Sequence, residues 1–399
     1  MEQFRSIQHY WTAHDWLGNR MLFLSGPRQS GKTTIVRANL CRKDQNLFNW
    51  DDRQIRSLFR KDPHFFSNAP GPWICFDEIH KRTKWKDILK GIYDTFKTRF
   101  RFVVTGSARL EIFRRSGDSL VGRYFNTHLF PLNMGDFINS DFKEWNKAES
   151  LLETAGNSSD HSQLLESLLS LGGFPEPFFS GSEKFWRRWS KQHEELIIRE
   201  DLRDLSRISD LDRMEQLLDW MKSASGNPIS NSNIAQDLET THGSIKRWLA
   251  ELNKVELLFS VSPYTKKIRR AYKKELKWYF VDWRAAKGDP FENYVAASLH
   301  RATTLYQDRF GEEYSLYFVK TFDQTEIDFL LTRNGQPWLL VEAKEGAPDT
   351  SATIYRYTHR LNCPCAVVTR KPGVFRKIIG KEKQKIFLIS WSKLGGLLP

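Results

Sequence analysis

Apolar residues along this chain fall into two kinds of pattern. In the first third they form short continuous runs: Met21-Leu22-Phe23-Leu24, Leu47-Phe48, Trp73-Ile74-Cys75-Phe76 and Phe102-Val103-Val104. Runs of this length, each closed by polar or turn-forming residues, predict strands buried on both faces. From Asp136 to about Asp212 the pattern turns helical. Met214, Leu217, Leu218 and Met221 then mark one helix face, and Ile245, Leu249 and Leu252 another. Residues 257–261 and 276–281 read as strands again. Near the end, Phe291, Val295 and Leu299 form a helix face, and Thr325–Leu331 and Trp338–Lys344 read as two strands turned at Asn334-Gly335.

The first apolar run leads into Gly26-Pro-Arg-Gln-Ser-Gly31-Lys32-Thr33-Thr34, a complete G-x-x-x-x-G-K-[ST] between a predicted strand and a predicted helix. Backbone N–H groups and the helix dipole favour phosphate there. The expected nucleotide-binding residues are Gly26, Arg28, Ser30, Gly31, Lys32, Thr33 and Thr34, with Lys32 on the β- and γ-phosphates of ATP and the Thr33 hydroxyl on Mg²⁺. The run at Trp73 ends in Asp77-Glu78. Asp77 is expected to hold Mg²⁺ and Glu78 to deprotonate the attacking water. Asp51 and Asp52 read as caps of the following helix. At the end of the Phe102 run, Ser107 is the expected contact to the γ-phosphate or lytic water, with Thr105 second. Arg123, after Gly122, is a candidate arginine finger acting on a neighbouring subunit, with Arg109 and Arg28 as rivals; a surface ion pair is the alternative for Arg123.

Gly26–Thr34, Phe76–His80, Thr105–Leu110, and Ser119–Phe125 followed by Pro131-Leu132, Met134 and Asp136-Phe137 together resemble one family of prokaryotic AAA+-type ATPases. The resemblance runs over nearly the whole chain and is most specific over residues 22–135. It implies a RecA-like αβα P-loop core with a helical lid, a winged helix and a C-terminal domain similar to the PD-(D/E)xK nucleases. It also implies that Gly173-Phe174-Pro175 packs on the nucleotide, where the bare pattern reads equally as a helix stop. The expected domains are an ATPase core at 1–135, a lid at 136–212, a winged helix at 213–285 and a restriction-endonuclease-like α/β domain at 286–399.

The residues carry parts of this reading themselves. Two helices joined by the turn Thr240–Gly243 match helix-turn-helix geometry, and the strands that follow make a wing. Between those strands, Lys266, Lys267, Arg269, Arg270, Lys273, Lys274 and Lys277 stand against one acid, Glu275. The expected DNA-contact residues are Lys246 and Arg247 on the second helix and Lys266, Lys267, Arg269, Arg270 and Lys273 in the wing. Asp328 followed by Glu342-x-Lys344 is the pattern of a metal-dependent nuclease. Asp328 and Glu342 are the expected metal ligands, Lys344 orients the water, and Glu292 is the fourth member. Cleavage, or mere gripping of DNA by a fold that no longer cuts, stay open alternatives.

A formal net charge of +13 over 399 residues adds weight to an anionic polymer as partner, DNA foremost. The tail cluster from Arg370 to Lys385 either extends that path or is a solvated face. Cys41, Cys75, Cys363 and Cys365 form no zinc pattern and read as reduced thiols. With no signal-like N-terminus and no membrane-length apolar run, a soluble cytoplasmic protein is expected. The reading is thus an Mg²⁺–ATPase acting on DNA as a homo-oligomer. The alternative is an ATP-governed switch whose winged helix binds DNA or a protein.

Overall fold

The computed structural model describes residues 17–41, 45–106, 120–138, 143–202, 211–265, 276–320 and 325–399. The chain divides into two compact units. One holds residues 1–131 with Lys254–Glu256; the other holds residues 132–253 and 257–399.

The first unit runs β1 (Met21–Ser25), α1 (Lys32–Asn39), β2 (Leu47–Asn49), α2 (Arg53–Lys61), β3 (Trp73–Asp77), α3 (Trp85–Phe96), β4 (Arg101–Thr105) and β5 (Tyr124–His128). The strands make one parallel sheet in the order β2-β3-β4-β1-β5. This is an α/β fold, and the continuous apolar runs are its signature, since β1 and β3 are buried at every position. One side of the core is aromatic: Phe23, Phe59, Phe66, Phe76, Phe102 and Trp85 pack together. β1 lies between β4 and β5, so the loop after it opens between the ends of those two strands.

In the second unit come α4 (Met134–Ile138), α5 (Ala148–Asn157), α6 (Ser162–Leu171), α7 (Pro175–Ser180), α8 (Glu183–Leu196) and α9 (Leu211–Ala224). They are followed by β6 (Pro228–Ile229), α10 (Asn231–Asp237), α11 (His242–Lys254), β7 (Leu258–Pro263), β8 (Leu276–Phe280) and α12 (Phe291–Phe310). Then come β9 (Tyr314–Lys320), β10 (Glu326–Arg333), β11 (Gln336–Lys344), α13 (Ala352–Leu361), β12 (Cys365–Thr369), β13 (Phe375–Ile379), β14 (Lys385–Ser390) and α14 (Trp391–Leu394).

The sequence divides these residues into three segments, but the described strands form one nine-stranded sheet, β13-β14-β12-β11-β10-β9-β7-β8-β6. The joint is a parallel pair between β7 and β9, with Ser262 opposite Tyr317 and Pro263 opposite Phe318. Pairing there satisfies backbone groups that a free edge would leave open. The cores merge as well. Leu151, Leu168 and Trp189 from the helical segment share one cluster with Tyr279, Val295, Phe329 and Val368. The unit also begins at Leu132, a few residues before the expected boundary at 135.

No helix among the described residues is long and apolar enough to cross a membrane. All four cysteines are buried free thiols. Burial pushes the Cys75 and Cys365 thiols well up and Cys363 to about 12.

Candidate nucleotide and carboxylate sites

The loop after β1 is shaped by backbone that only particular residues tolerate. Gly26 has φ +143°, and a Cβ there would stand 2.3 Å from the Leu129 carbonyl oxygen. Gln29 and Gly31 take left-handed φ values of 62° and 94°. Such alternation turns successive N–H groups into a concave anion nest. Helix α1 begins directly after, with Ile35 N–H donating to the Gly31 carbonyl. Lys32 is buried and its ammonium donates to the carbonyls of Gly26 (2.9 Å) and Pro27 (2.7 Å). Ser30 is buried, Arg28 half-buried and Thr34 exposed.

Three side chains converge on Asp77 at the end of β3. Thr33 Oγ1 donates to Oδ2 at 3.0 Å, Asn49 Nδ2 to Oδ2 at 3.2 Å, and Thr105 Oγ1 to Oδ1. Burial pushes the Asp77 carboxyl up, and the Thr105 bond opposes that shift. Thr33 and Asp77 are hard oxygen donors aimed at each other beneath an anion nest, a set that suits Mg²⁺. Glu78 takes a left-handed backbone at φ 56° and its N–H donates to the Thr105 carbonyl. Its carboxylate lies 3.3 Å from Lys81 and 3.6 Å from His80, and Lys81 also pairs with Asp51 at 2.6 Å. Asp52 caps α2 by accepting from Gln54 N–H.

Ser107 and Arg109 lie outside the described residues; Thr105 is the polar strand-end residue that meets Asp77. Asn49, which the sequence reading passed over, reaches the same carboxylate from β2. Arg123 grips Asp94 with two bonds, 3.0 and 3.1 Å. Its carbonyl accepts from Met21 N–H at the start of β1, so it sits a strand length, about 13 Å, from the loop that follows Ser25.

In the second unit, α10, a short turn and α11 are followed by the hairpin of β7 and β8, with β6 pairing on β8. Ile245, Leu249 and Leu252 are buried, while Lys246 and Arg247 are exposed. Lys266, Lys267, Arg269, Arg270 and Lys273 lie outside the described residues. Gly173 accepts from Leu132 N–H, and Pro175 opens α7.

The hairpin of β10 and β11 brings the C-terminal acids together. Asp328 Oδ2 accepts from Ala343 N–H (2.9 Å), Glu342 Oε2 accepts from Asp328 N–H (3.3 Å), and Lys344 Nζ lies 2.8 Å from Glu342 Oε1. Burial, then the charges of Glu342 and Glu292, push the Asp328 carboxyl up to about 7. Burial also raises Glu292, opposed by Lys277. Desolvation pulls the Lys344 ammonium down, but its bond to Glu342 and that charge hold it above its usual range.

Glu292 stands in the first turn of α12, where Tyr279 OH donates to it at 2.9 Å. Of the expected metal set Glu292, Asp328 and Glu342, the first is engaged by Tyr279. Among the described residues no group of three or more His, Cys, Asp or Glu is arranged to hold a metal ion. Asp328 and Glu342 remain an adjacent pair. Two further participants come from β8: Tyr279, and Lys277, which the basic run counts among the wing's cations but which is buried on β8 and pairs with Glu326 at 3.0 Å. Part of the tail cluster is used internally, while Lys371, Arg376, Lys381 and Lys383 are exposed. Arg370 pairs with Glu166, Lys377 with Glu149 and Glu153, and Lys385 with Glu149.

Residues 18–138 match the model of an AAA domain, and residues 162–283 and 287–373 match two separate domains of unknown function. An uncharacterised protein of Methanocaldococcus jannaschii is 24% identical over 93% of this chain and 87% of its own length. An uncharacterised protein of Mycobacterium tuberculosis is 21% identical over 84% of this chain and 72% of its own. Among solved structures, the Thermotoga maritima RuvB Holliday junction branch migration motor aligns with 68% of this chain and 92% of its own, at 14% identity and a TM-score of 0.26.

Proposed function

We propose that the chain is an Mg²⁺-dependent ATPase that couples ATP hydrolysis to binding or remodelling DNA. The observation that carries this is the convergence of Thr33 on Asp77 directly below the Gly26–Gly31 loop. The N–H groups of that loop bind the phosphates, and Lys32 exchanges its two carbonyl partners for phosphate oxygens. Thr33 and Asp77 would hold Mg²⁺, which supplies charge neutralisation between the phosphates. Glu78 takes the proton of the attacking water, and Thr105 and Asn49 fix the Asp77 carboxylate. Arg123 serves a neighbouring copy in a homo-oligomer, since its own loop is a strand length away.

The α10–α11 pair with its hairpin acts as a winged helix on the DNA backbone, through Lys246, Arg247 and the loop between β7 and β8. The residues from 286 onward act as a nuclease-like domain, with Asp328 and Glu342 as cation ligands and Lys344 beside them. One observation favours a second reading, an ATP-governed switch with an inert nuclease-like domain. Both Glu342 oxygens and Asp328 Oδ2 already have protein partners, namely Lys344 and the Asp328 and Ala343 N–H groups.

ATPase rates without nucleic acid and with duplex, single-stranded and four-way-junction DNA test the reading, with the same mixtures run on a gel. Stimulation that disappears in Lys32→Ala supports the DNA-coupled ATPase. Cleavage lost in Asp328→Ala supports the nuclease. A flat rate, no cleavage and a nucleotide-dependent DNA affinity favour the switch. ATP affinity unchanged in Lys32→Ala would overturn the P-loop assignment.

A further inference from the structure

Helix α8 carries Lys184, Arg187, Arg188 and Lys191 at i, i+3, i+4 and i+7, which is one stripe of a helix surface. All four are exposed. The opposite side of the helix is spent on the fold: Trp189 and His193 are buried and stacked on each other, and Trp189 belongs to the unit's core.

The stripe works against its own helix. Residues 184 and 187, 184 and 188, 187 and 191, and 188 and 191 are like-charged pairs at the spacings where helix side chains meet, and each repels. Lys184 also lies in the first turn, where the helix dipole disfavours positive charge. Arg187 lies 3.7 Å from Glu183, while Glu194 and Glu195, at i+3 and i+4 from Lys191, pair with Lys222 and Arg199. A merely solvated helix face interleaves acids with bases at these spacings. Beside the stripe, the Arg284 guanidinium lies over the Trp186 ring at 4.4 Å and reaches Glu183 at 3.9 Å, adding a further cation. An anionic partner would relieve this repulsion.

We propose that the α8 stripe is a second contact surface for the phosphate backbone of nucleic acid, separate from α11 and the loop between β7 and β8. It rests on the nucleic-acid reading above and extends it to the helical segment. Seven residues of helix rise about 10 Å, which spans about three phosphates of one strand. A lipid surface fits less well, because an interfacial helix needs a free apolar side and that of α8 is buried.

The test uses the full chain with Lys184, Arg187, Arg188 and Lys191 all changed to Gln, titrated with duplex DNA between about 50 and about 200 mM salt. The expected result is affinity at least about tenfold weaker at low salt, with a slope of log affinity against log salt shallower by about 2 to 3. ATPase activity without DNA stays at the wild-type level. Unchanged affinity and slope overturn the proposal while leaving the nucleic-acid reading intact. If the wild-type chain binds neither duplex nor single strands, that reading fails and this proposal with it. The swap Lys184→Arg, Arg187→Lys, Arg188→Lys and Lys191→Arg keeps the charge and should keep affinity. Loss in the swap equal to loss in the Gln variant would assign the effect to helix structure and overturn the proposal. So would binding of the wild type to anionic vesicles, lost in the Gln variant, with no binding to DNA.

Discussion

The Arg301 guanidinium holds the Asp136 carboxylate with two hydrogen bonds, 2.6 and 2.9 Å long, and both side chains are almost wholly buried. Asp136 also accepts from Asn133 N–H, and Asn133 Oδ1 accepts from Tyr294 OH. The start of the helical segment is thereby tied to α12. Removing one partner strands a buried charge, which costs about 3–5 kcal/mol. Arg301→Ala is expected to lower the melting temperature of this unit by more than about 6 °C. The double variant Asp136→Ala with Arg301→Ala should lose less than the sum of the two single changes. Purely additive losses in thermal unfolding would show that the two residues are not coupled.

Gly26→Ala should abolish ATP binding while leaving the second unit folded. The added methyl would meet the Leu129 carbonyl at 2.3 Å, and the backbone there sits at φ +143°. Fluorescent-nucleotide titration checks this, and wild-type affinity in a folded variant would show that the loop accommodates a side chain.

Thr105→Val removes the donor on Asp77 Oδ1 and keeps the shape. A hydrogen bond to a charged group contributes about 1.5–3 kcal/mol, so hydrolysis should fall by at least about tenfold. ATP binding should change far less. Thr105→Ser should restore most of the rate. A Val variant with normal kcat would place the phosphate-sensing role elsewhere.

Asp282 gives a pH prediction. Its carboxylate accepts from Trp186 Nε1 at 3.1 Å and from Arg284 N–H at 3.3 Å, yet burial pushes it from 3.8 up to about 6. The folded chain therefore binds this proton more tightly than the unfolded chain. Its contribution to stability is complete below about pH 4 and lost as pH rises through about 6. Asp282→Asn should match wild type at the acid end and exceed it above pH 6, by up to about 3 kcal/mol. The melting-temperature difference between variant and wild type, followed across that window, should grow with pH. A flat difference would refute the assignment.

The loop from Gly26 to Thr33 was legible because a concave anion nest is built from contiguous residues, and Asp77-Glu78 follow their own apolar run. What acts on Asp77 was less so. Asn49 and Thr105 reach it from β2 and β4, and that requires the strand order. Asp328, Glu342 and Lys344 were readable from one hairpin. Tyr279 and Lys277 were not, because β8 joins that sheet only through the β7–β9 pair. Asp136 and Arg301 are 165 residues apart, and neither residue type announces a buried partner. Hydrophobic pattern distinguished three segments after the first unit, but it carries no information on whether neighbouring segments share a core.

The β7–β9 pair also governs how force travels. The strands flanking residues 266–275 and the strands that carry Asp328 and Glu342 belong to one hydrogen-bonded sheet, with a register shift in β10 between Ile327 and Leu330. Strands paired in this way are coupled through their shared backbone hydrogen bonds. A load on β8 reaches Tyr279, and through its hydroxyl Glu292 at the start of α12, as strain carried from strand to helix.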